Sequence, residues 1–434
     1  MLTSSRPASW ALVQSRRSWS NDSSSSRRAE VCSTVSIVPS NRGSRSAGMP
    51  GNVDVMTKNN GLEPFRIDIP QADVDDLHRR LARTRWPHPV PGRGDDTDFS
   101  RGTPLGYLQD VAQYWRDGFD WRVQEARLNE YEQVTTVVDG QTFHVVHARS
   151  ADAQATPLLL NNGWPGSFVE YQRLVPLLTD DFHVVIPSLP GLGFSTPLSG
   201  AGWDLARTTD AYAEIMTRLG YERFAAHGTD VGAGTTGRLA AVYPERVIGT
   251  HLGADRGWLG LVGDKLPCPD GLSDDEIAQI EAVRTESAAE RGYIGMHNHR
   301  PGTIGAARTD SPVGQLAWIA EKFKVRTTDG GYRTPDVDRD QLLTNISLYW
   351  FTRSGASIAQ FYYESEHAGA GIAMAPDVPS GWAVFDTHPL MRRAMDPWEA
   401  IGHWSEFTTG GHFPAMEEPK LLADDIRTFL RGIS

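Results

Sequence analysis

A chain of 434 residues, 39 % of them apolar, has enough material for a large buried core. Its formal charge of −12, from 42 Lys and Arg against 54 Asp and Glu, argues against general attraction to nucleic acid or anionic lipid. No run of 18 apolar residues is present, so no membrane span is expected; two cysteines, Cys32 and Cys268, are too few for a disulfide framework or a cysteine-built metal site, and a reducing, cytoplasmic setting follows.

Residues 1–61 are rich in Ser, Arg and Asn and poor in large apolar side chains, with Ser23 to Ser26 and the pairs Arg16-Arg17 and Arg27-Arg28. Such a stretch cannot bury enough to order itself, so it is expected to be a disordered tail, or an upstream extension of a protein starting at Met49 or Met56. Order begins near Leu62. Pro64 to Pro70 alternates like an extended strand, and Gln71 opens a helix with Val74, Leu77 and Leu81 on one face, broken at Trp86-Pro87. A second helix, Pro104 to Asp117, puts Leu105, Leu108, Val111, Ala112 and Trp115 on one side. Gln133 to Val138, the turn Asp139-Gly140 and Gln141 to Ala148 then form a hairpin signal.

From there strands and helices alternate. Pro157 to Leu160, His183 to Ile186 and Phe224 to Ala226 are short apolar runs, each followed by a loop and a helix, which predicts a doubly wound α/β fold with a mostly parallel sheet. The third run leads into Gly228-Thr229-Asp230-Val231-Gly232, which has the form of a nucleophile elbow. Glycines permit a tight strand-to-helix turn that lifts the central side chain above the sheet. Esterases carry serine there; this chain carries Asp230. A carboxylate with a reference pKa of about 3.9 is already ionised, so it can attack saturated carbon and form an alkyl ester. That chemistry fits epoxides or alkyl halides. Gly163-Trp164-Pro165-Gly166-Ser167 follows an earlier strand and is positioned to complete an oxyanion hole, with Trp164 and Val231 as backbone donors. Near the end, Thr409-Gly410-Gly411-His412-Phe413 presents a histidine in the nucleophile, acid, histidine order of a hydrolase triad, in the position of a general base.

These motifs, with Leu81-Ala82-Arg83-Thr84-Arg85-Trp86-Pro87, Asp310-Ser311-Pro312-Val313-Gly314 and Glu418-Pro419, make the chain resemble a microsomal-type epoxide hydrolase of the α/β-hydrolase superfamily, from about Glu63 to Phe429. The resemblance implies a lead region at 62–132, a core at 133–259 and 371–434, and a helical lid at 260–370. It also implies two lid tyrosines that hydrogen-bond the epoxide oxygen. Tyr293 and Tyr362 match, with Tyr362 preferred over Tyr363. The implied partners are a small-molecule epoxide and water, with no cofactor and no metal, and a homodimer is among the expected assemblies. Two departures stand out. Asn162 occupies the place where the family usually has histidine. The family's Phe-Pro-x-Asp/Glu after the post-lid strand is here Phe385-Asp386-Thr387-His388-Pro389, so Asp386 is taken as the triad acid, ahead of Asp396 and Glu399. A haloalkane dehalogenase shares aspartate and histidine, but often has tryptophan directly after the nucleophile, where this chain has Val231. A non-catalytic binding protein of the same fold has little need of nucleophile, base and both tyrosines.

Overall fold

The computed structural model describes residues 60–89, 98–263, 266, 268–326, 332–333, 337–369, 375 and 377–433. The expectation for the first sixty residues therefore lies, as far as Asn59, outside the described residues.

Eleven strands are described: β1 (Leu62–Phe65), β2 (Glu132–Val138), β3 (Gln141–Ala148), β4 (Thr156–Asn161), β5 (Phe182–Pro187), β6 (Phe224–Gly228), β7 (Val247–Asp255), β8 (Val325–Arg326), β9 (Tyr332–Arg333), β10 (Ser380–Phe385) and β11 (His403–Glu406). Nine form one sheet in the order β1-β2-β3-β5-β4-β6-β7-β10-β11, and β8 and β9 pair separately. Pairing is antiparallel from β1 through β3 to β5 and parallel from β5 to β11. The sequence explains the division. β2 and β3 are joined by Asp139 and Gly140, both at positive φ (48° and 78°), as a two-residue hairpin turn requires. Apart from the edge strand β11, the parallel strands are mostly apolar runs buried along most of their length, such as Val184, Val185 and Ile186 in β5, as expected of a parallel sheet covered by helices.

β1 is shorter than the alternation of Pro64 to Pro70 predicts. After Phe65 the backbone leaves the sheet, and its amides turn to side chains: Ile67 N donates to Asn129 Oδ1 (2.9 Å) and Ile69 N to Glu125 Oε1 (2.7 Å). The helix Gln71–Ala82 buries Val74, Leu77 and Leu81 as its spacing predicts, and Leu105–Asp117 buries Leu108, Val111, Ala112 and Trp115.

Between β7 and β10 the chain inserts the helices Asp274–Glu290, Gly292–His299, Pro301–Asp310, Pro312–Ala320, Arg339–Phe351 and Ser354–Ala368. Their starts are written locally. Ser273 and Glu276 form a reciprocal capping box, Ser311 accepts from Gly314 N ahead of Pro312, and Asp338 accepts from Gln341 N. The N-terminal helices brace this insertion from outside. Trp115 Nε1 donates to Ser347 Oγ (2.9 Å), Tyr114 Oη to Asp340 Oδ1 (2.8 Å), and Arg80 Nη1 to the Asp310 carbonyl (2.8 Å). Among the described residues no helix is long and apolar enough to cross a membrane.

Candidate active site

The elbow forms where its glycines predict. β6 ends at Gly228 and the helix Val231–Val242 begins one residue after Asp230, which sits at φ 51°, a conformation rare outside glycine. Both glycines are sterically required: a Cβ on Gly228 would lie 2.2 Å from the Gly232 carbonyl oxygen, and one on Gly232 would lie 1.9 Å from the Asn161 carbonyl oxygen. The turn therefore drives the Asp230 carboxylate up against the loop after β4. There Trp164 N donates to Asp230 Oδ1 (3.1 Å), and a Cβ on Gly163 would occupy the place of that same oxygen. Val231, the other expected donor, is the first residue of its helix, so its N–H is one of those a helix start leaves without an intrahelical acceptor.

The loop carrying Trp164 is held by the insertion. Asn345 Nδ2 donates to the Pro165 carbonyl (2.7 Å), Ser167 Oγ donates to Asn345 Oδ1 (2.6 Å), and Tyr349 Oη donates to the Gly166 carbonyl (2.7 Å). Asn162, the departure from the family pattern, is buried and donates to the Gly163 carbonyl at 3.3 Å.

His412 closes the other side. Its Nε2 lies 3.4 Å from Asp230 Oδ2, and its Nδ1 lies 2.6 Å from Asp255 Oδ2. Burial disfavours a charged imidazole, but hydrogen bonds to Asp230 and Asp255 outweigh it and push His412 well above its usual range. The expectation of Asp386 as its partner is corrected by this geometry. Asp255, the last residue of β7, makes that bond, and it also accepts from Gly257 N (2.6 Å). Burial opposes its charge, but those bonds hold its carboxyl below the ordinary range. Asp386 stands one residue past the end of the neighbouring strand, where Phe385 pairs with Asp255; it has φ 43°, and burial raises its carboxyl to about 6. The rival Asp396 is a capping carboxylate that accepts from Ala400 N (2.7 Å) and Ile401 N (3.2 Å), and His388 accepts from Leu390 N (3.2 Å).

Tyr293, on the helix Gly292–His299, stacks on the Trp164 indole (ring centroids 4.6 Å apart, 27° between planes), and Tyr362, on Ser354–Ala368, meets the same indole edge-on at 6.3 Å. Burial raises both phenols, and the Asp230 charge adds to it, so both stay protonated as donors. Tyr363 instead stacks on His367 at 4.0 Å.

Sequence reading missed several residues here. Glu170 is buried, accepts from Thr229 Oγ1 (3.3 Å) and is raised to about 8 by burial; Glu417 accepts from Phe413 N (2.8 Å) and is raised to about 7, also by burial. Glu417 fixes the residue after His412. The one sequence signal for Asp255 is Asp-Arg-Gly at the end of the strand beside the elbow, a spacing suited to a carboxylate that accepts from the amide two residues on. Among the described residues, His251, His403 and Asp425 have ligand-type atoms within 4.8 Å of one another. Asp425 already accepts from both imidazoles (2.8 and 3.0 Å) and from Ser405, so the group is a hydrogen-bonded network across β7, β11 and the last helix.

Comparison with known proteins identifies the family and the fold. Residues 62–171 match the family model for the epoxide hydrolase N terminus, and residues 156–252 match the α/β-hydrolase fold. A putative epoxide hydrolase of Stigmatella aurantiaca is 41 % identical over 390 residues, 86 % of each chain, and epoxide hydrolase 1 of Sus scrofa is 32 % identical over 88 % of this chain and 91 % of its own. The structure of Aspergillus niger epoxide hydrolase superposes with a TM-score of 0.71 at 28 % identity, covering 86 % of this chain and 96 % of that one. The chain thus belongs to the epoxide hydrolases, hydrolases of the α/β-hydrolase fold that carry the epoxide hydrolase N terminus.

Proposed function

We propose that the chain opens an epoxide through a covalent ester on Asp230 and releases a vicinal diol. In the first half-reaction an Asp230 oxygen attacks an epoxide carbon, the carbon–oxygen bond breaks, and the leaving oxygen takes a proton from Tyr293 or Tyr362. In the second, His412 Nε2 removes a proton from water as its oxygen adds to the Asp230 carboxyl carbon. The resulting oxyanion meets Trp164 N and Val231 N, and collapse expels the diol. His412 keeps the water proton as the imidazolium from which the cycle began, so the net change is addition of water. The observation that carries this reading is the position of His412 between Asp230 (3.4 Å) and Asp255 (2.6 Å). Before reaction two carboxylates favour imidazolium. Alkylation neutralises Asp230, the imidazolium proton passes to the phenolate left by ring opening, and the neutral ring can then act as base when an ester exists to be hydrolysed.

The helical insertion acts as a lid in this reading. Its Tyr293 and Tyr362, with Trp164, line the site with rings, which supports an apolar or aromatic epoxide as substrate. Two cysteines in the whole chain support a cytoplasmic setting, and sedimentation would test the expected homodimer. Single turnover in heavy-oxygen water tests the mechanism: the first diol should carry unlabelled oxygen from Asp230 while label enters the protein. Label in that first diol means direct attack by water and removes the ester.

A further inference from the structure

Beneath the two tyrosines lies a buried cation with no counter-ion. Arg308 is 2 % exposed, and among the described residues it has no carboxylate partner. Its Nε donates to Gln315 Oε1 (3.1 Å), its Nη1 donates to His297 Nε2 (2.7 Å), and its Nη2 has no hydrogen-bond partner. The guanidinium carbon stands 5.8 Å from the Trp164 ring centroid and 6.0 Å from that of Trp318. Burying an unpaired charge costs several kcal/mol, and an apolar side chain of similar volume would avoid that cost. Two hydrogen bonds and the faces of Trp164 and Trp318 offset only part of that cost.

The neighbouring histidine extends the charge toward the reaction. His297 Nε2 accepts from Arg308 and also from Trp318 Nε1 (3.1 Å), which leaves the ring proton on Nδ1; that atom is buried and has no acceptor. The His297 ring stands edge-on to Trp164 (4.8 Å), Tyr362 (5.2 Å) and Tyr293 (5.8 Å). Burial, reinforced by Arg308, lowers His297 to about 3, so the imidazole is neutral, and burial lowers Arg308 only to about 10, so the guanidinium keeps its charge at neutral pH. The guanidinium and the orphan N–H thus present positive potential to the two phenols.

We infer that Arg308 and His297 are positioning residues for epoxide opening, holding a fixed positive field behind Tyr293 and Tyr362 where negative charge develops on the leaving oxygen. Charge on that oxygen, or on the phenol that protonates it, grows only in the alkylation transition state, and a fixed cation in a water-poor site stabilises it without reorganisation. The field has no comparable role in ester hydrolysis, where charge develops beside Trp164 N and Val231 N.

The inference rests on the covalent reading above, and Arg308→Met tests it in the full-length protein. Met matches the volume, and His297 Nε2 keeps its bond from Trp318. With styrene oxide as probe, rapid-quench measurement should give alkylation roughly ten- to a hundredfold slower, substrate dissociation constant and ester hydrolysis within about twofold of wild type, and a thermal midpoint equal to or above wild type. Arg308→Lys, which keeps the charge, should recover part of the alkylation rate. The inference is overturned if Arg308→Met alkylates at the native rate, or if Arg308→Lys folds and is as slow as Arg308→Met. A wild-type enzyme that forms no ester instead removes the mechanism itself, so the two failures are distinguishable.

Discussion

β7 and β10 run side by side in register, and each delivers an aspartate at its carboxyl end, yet only one aspartate reaches the histidine. Asp255 receives Gly257 N and His412 Nδ1 and stays ionised. Asp386, one residue farther along its strand and at positive φ, is raised to about 6 by burial, and the imidazole bond goes to Asp255 instead. Proximity in the sheet does not make a triad acid. In the proposed mechanism the acid must be anionic to stabilise the imidazolium that forms as water is deprotonated, and the donors at the end of β7 hold Asp255 in that form. The Pro-x-acid pattern is absent after the post-lid strand, and the carboxylate that His412 meets comes from the end of the adjacent strand.

The sharpest way to break this comparison begins with the histidine that both strand ends could serve. His412→Gln should still form the ester and then stall, with hydrolysis slowed roughly 100- to 10,000-fold in rapid-quench measurements. Steady turnover at near-native rate would take His412 out of the site. Asp255→Asn should give the same phenotype in milder form, on the order of 100-fold slower hydrolysis with alkylation nearly unchanged, because the imidazole keeps a hydrogen-bonding neighbour but loses the charge that stabilises its protonated form. Asp386→Asn should hydrolyse its ester normally. The reverse ranking, Asp386→Asn stalled and Asp255→Asn active, returns the acid to β10.

Substitutions on the lid sharpen the contrast from the opposite side of the site. Tyr293→Phe and Tyr362→Phe remove only the hydroxyls and should each slow alkylation about tenfold or more while sparing hydrolysis of a pre-formed ester. If both alkylate at the wild-type rate, or if Tyr363→Phe alone is impaired, the assignment of the proton donors fails.

What was legible in the sequence divides along the same line. The elbow, the histidine loop and the Asp139-Gly140 hairpin are local: glycine at a forced φ or in a close approach is visible as glycine, and the periodic apolar residues around them fix which element follows. Trp164 was accessible through its loop motif, and the two tyrosines only through the family resemblance. Asp255 and the Arg308–His297 pair were not, because their roles depend on which side chains meet across elements far apart in the chain. Asp-Arg-Gly after a strand looks like any turn until His412 is seen above it, and Arg308 resembles one more polar residue on a helix until Pro301–Asp310 is packed with no carboxylate partner for it among the described residues. Pro64 to Pro70 failed for a related reason: alternation describes an extended backbone, but strand pairing ends where Asn129 and Glu125 capture its amides.

The smallest expected effect separates the two aspartates by stability rather than rate. Asp386 is raised from 3.8 to about 6 by burial, so the folded state holds its proton more tightly than the unfolded chain does. Its favourable contribution is therefore complete below about pH 4 and is lost as pH rises through about 6, where the unfolded chain ionises more readily. Asp386→Asn cannot ionise, so its stability relative to wild type should improve between pH 4 and 7. A shift of this size on a partly exposed group is worth on the order of 1 to 2 kcal/mol after solvent screening. Asp255 has the opposite sign: its folded carboxyl is lowered, so it stabilises above about pH 4 and loses that contribution in acid, and Asp255→Asn should lose stability relative to wild type as pH rises toward about 4, with little further change above it. Urea unfolding of the three proteins at pH 3, 4, 5.5 and 7 reads both signs, Asp255 below about pH 4 and Asp386 above it. Parallel pH profiles for the two variants would mean that the carboxylates share one environment, and the distinction drawn between the two strand ends would be lost.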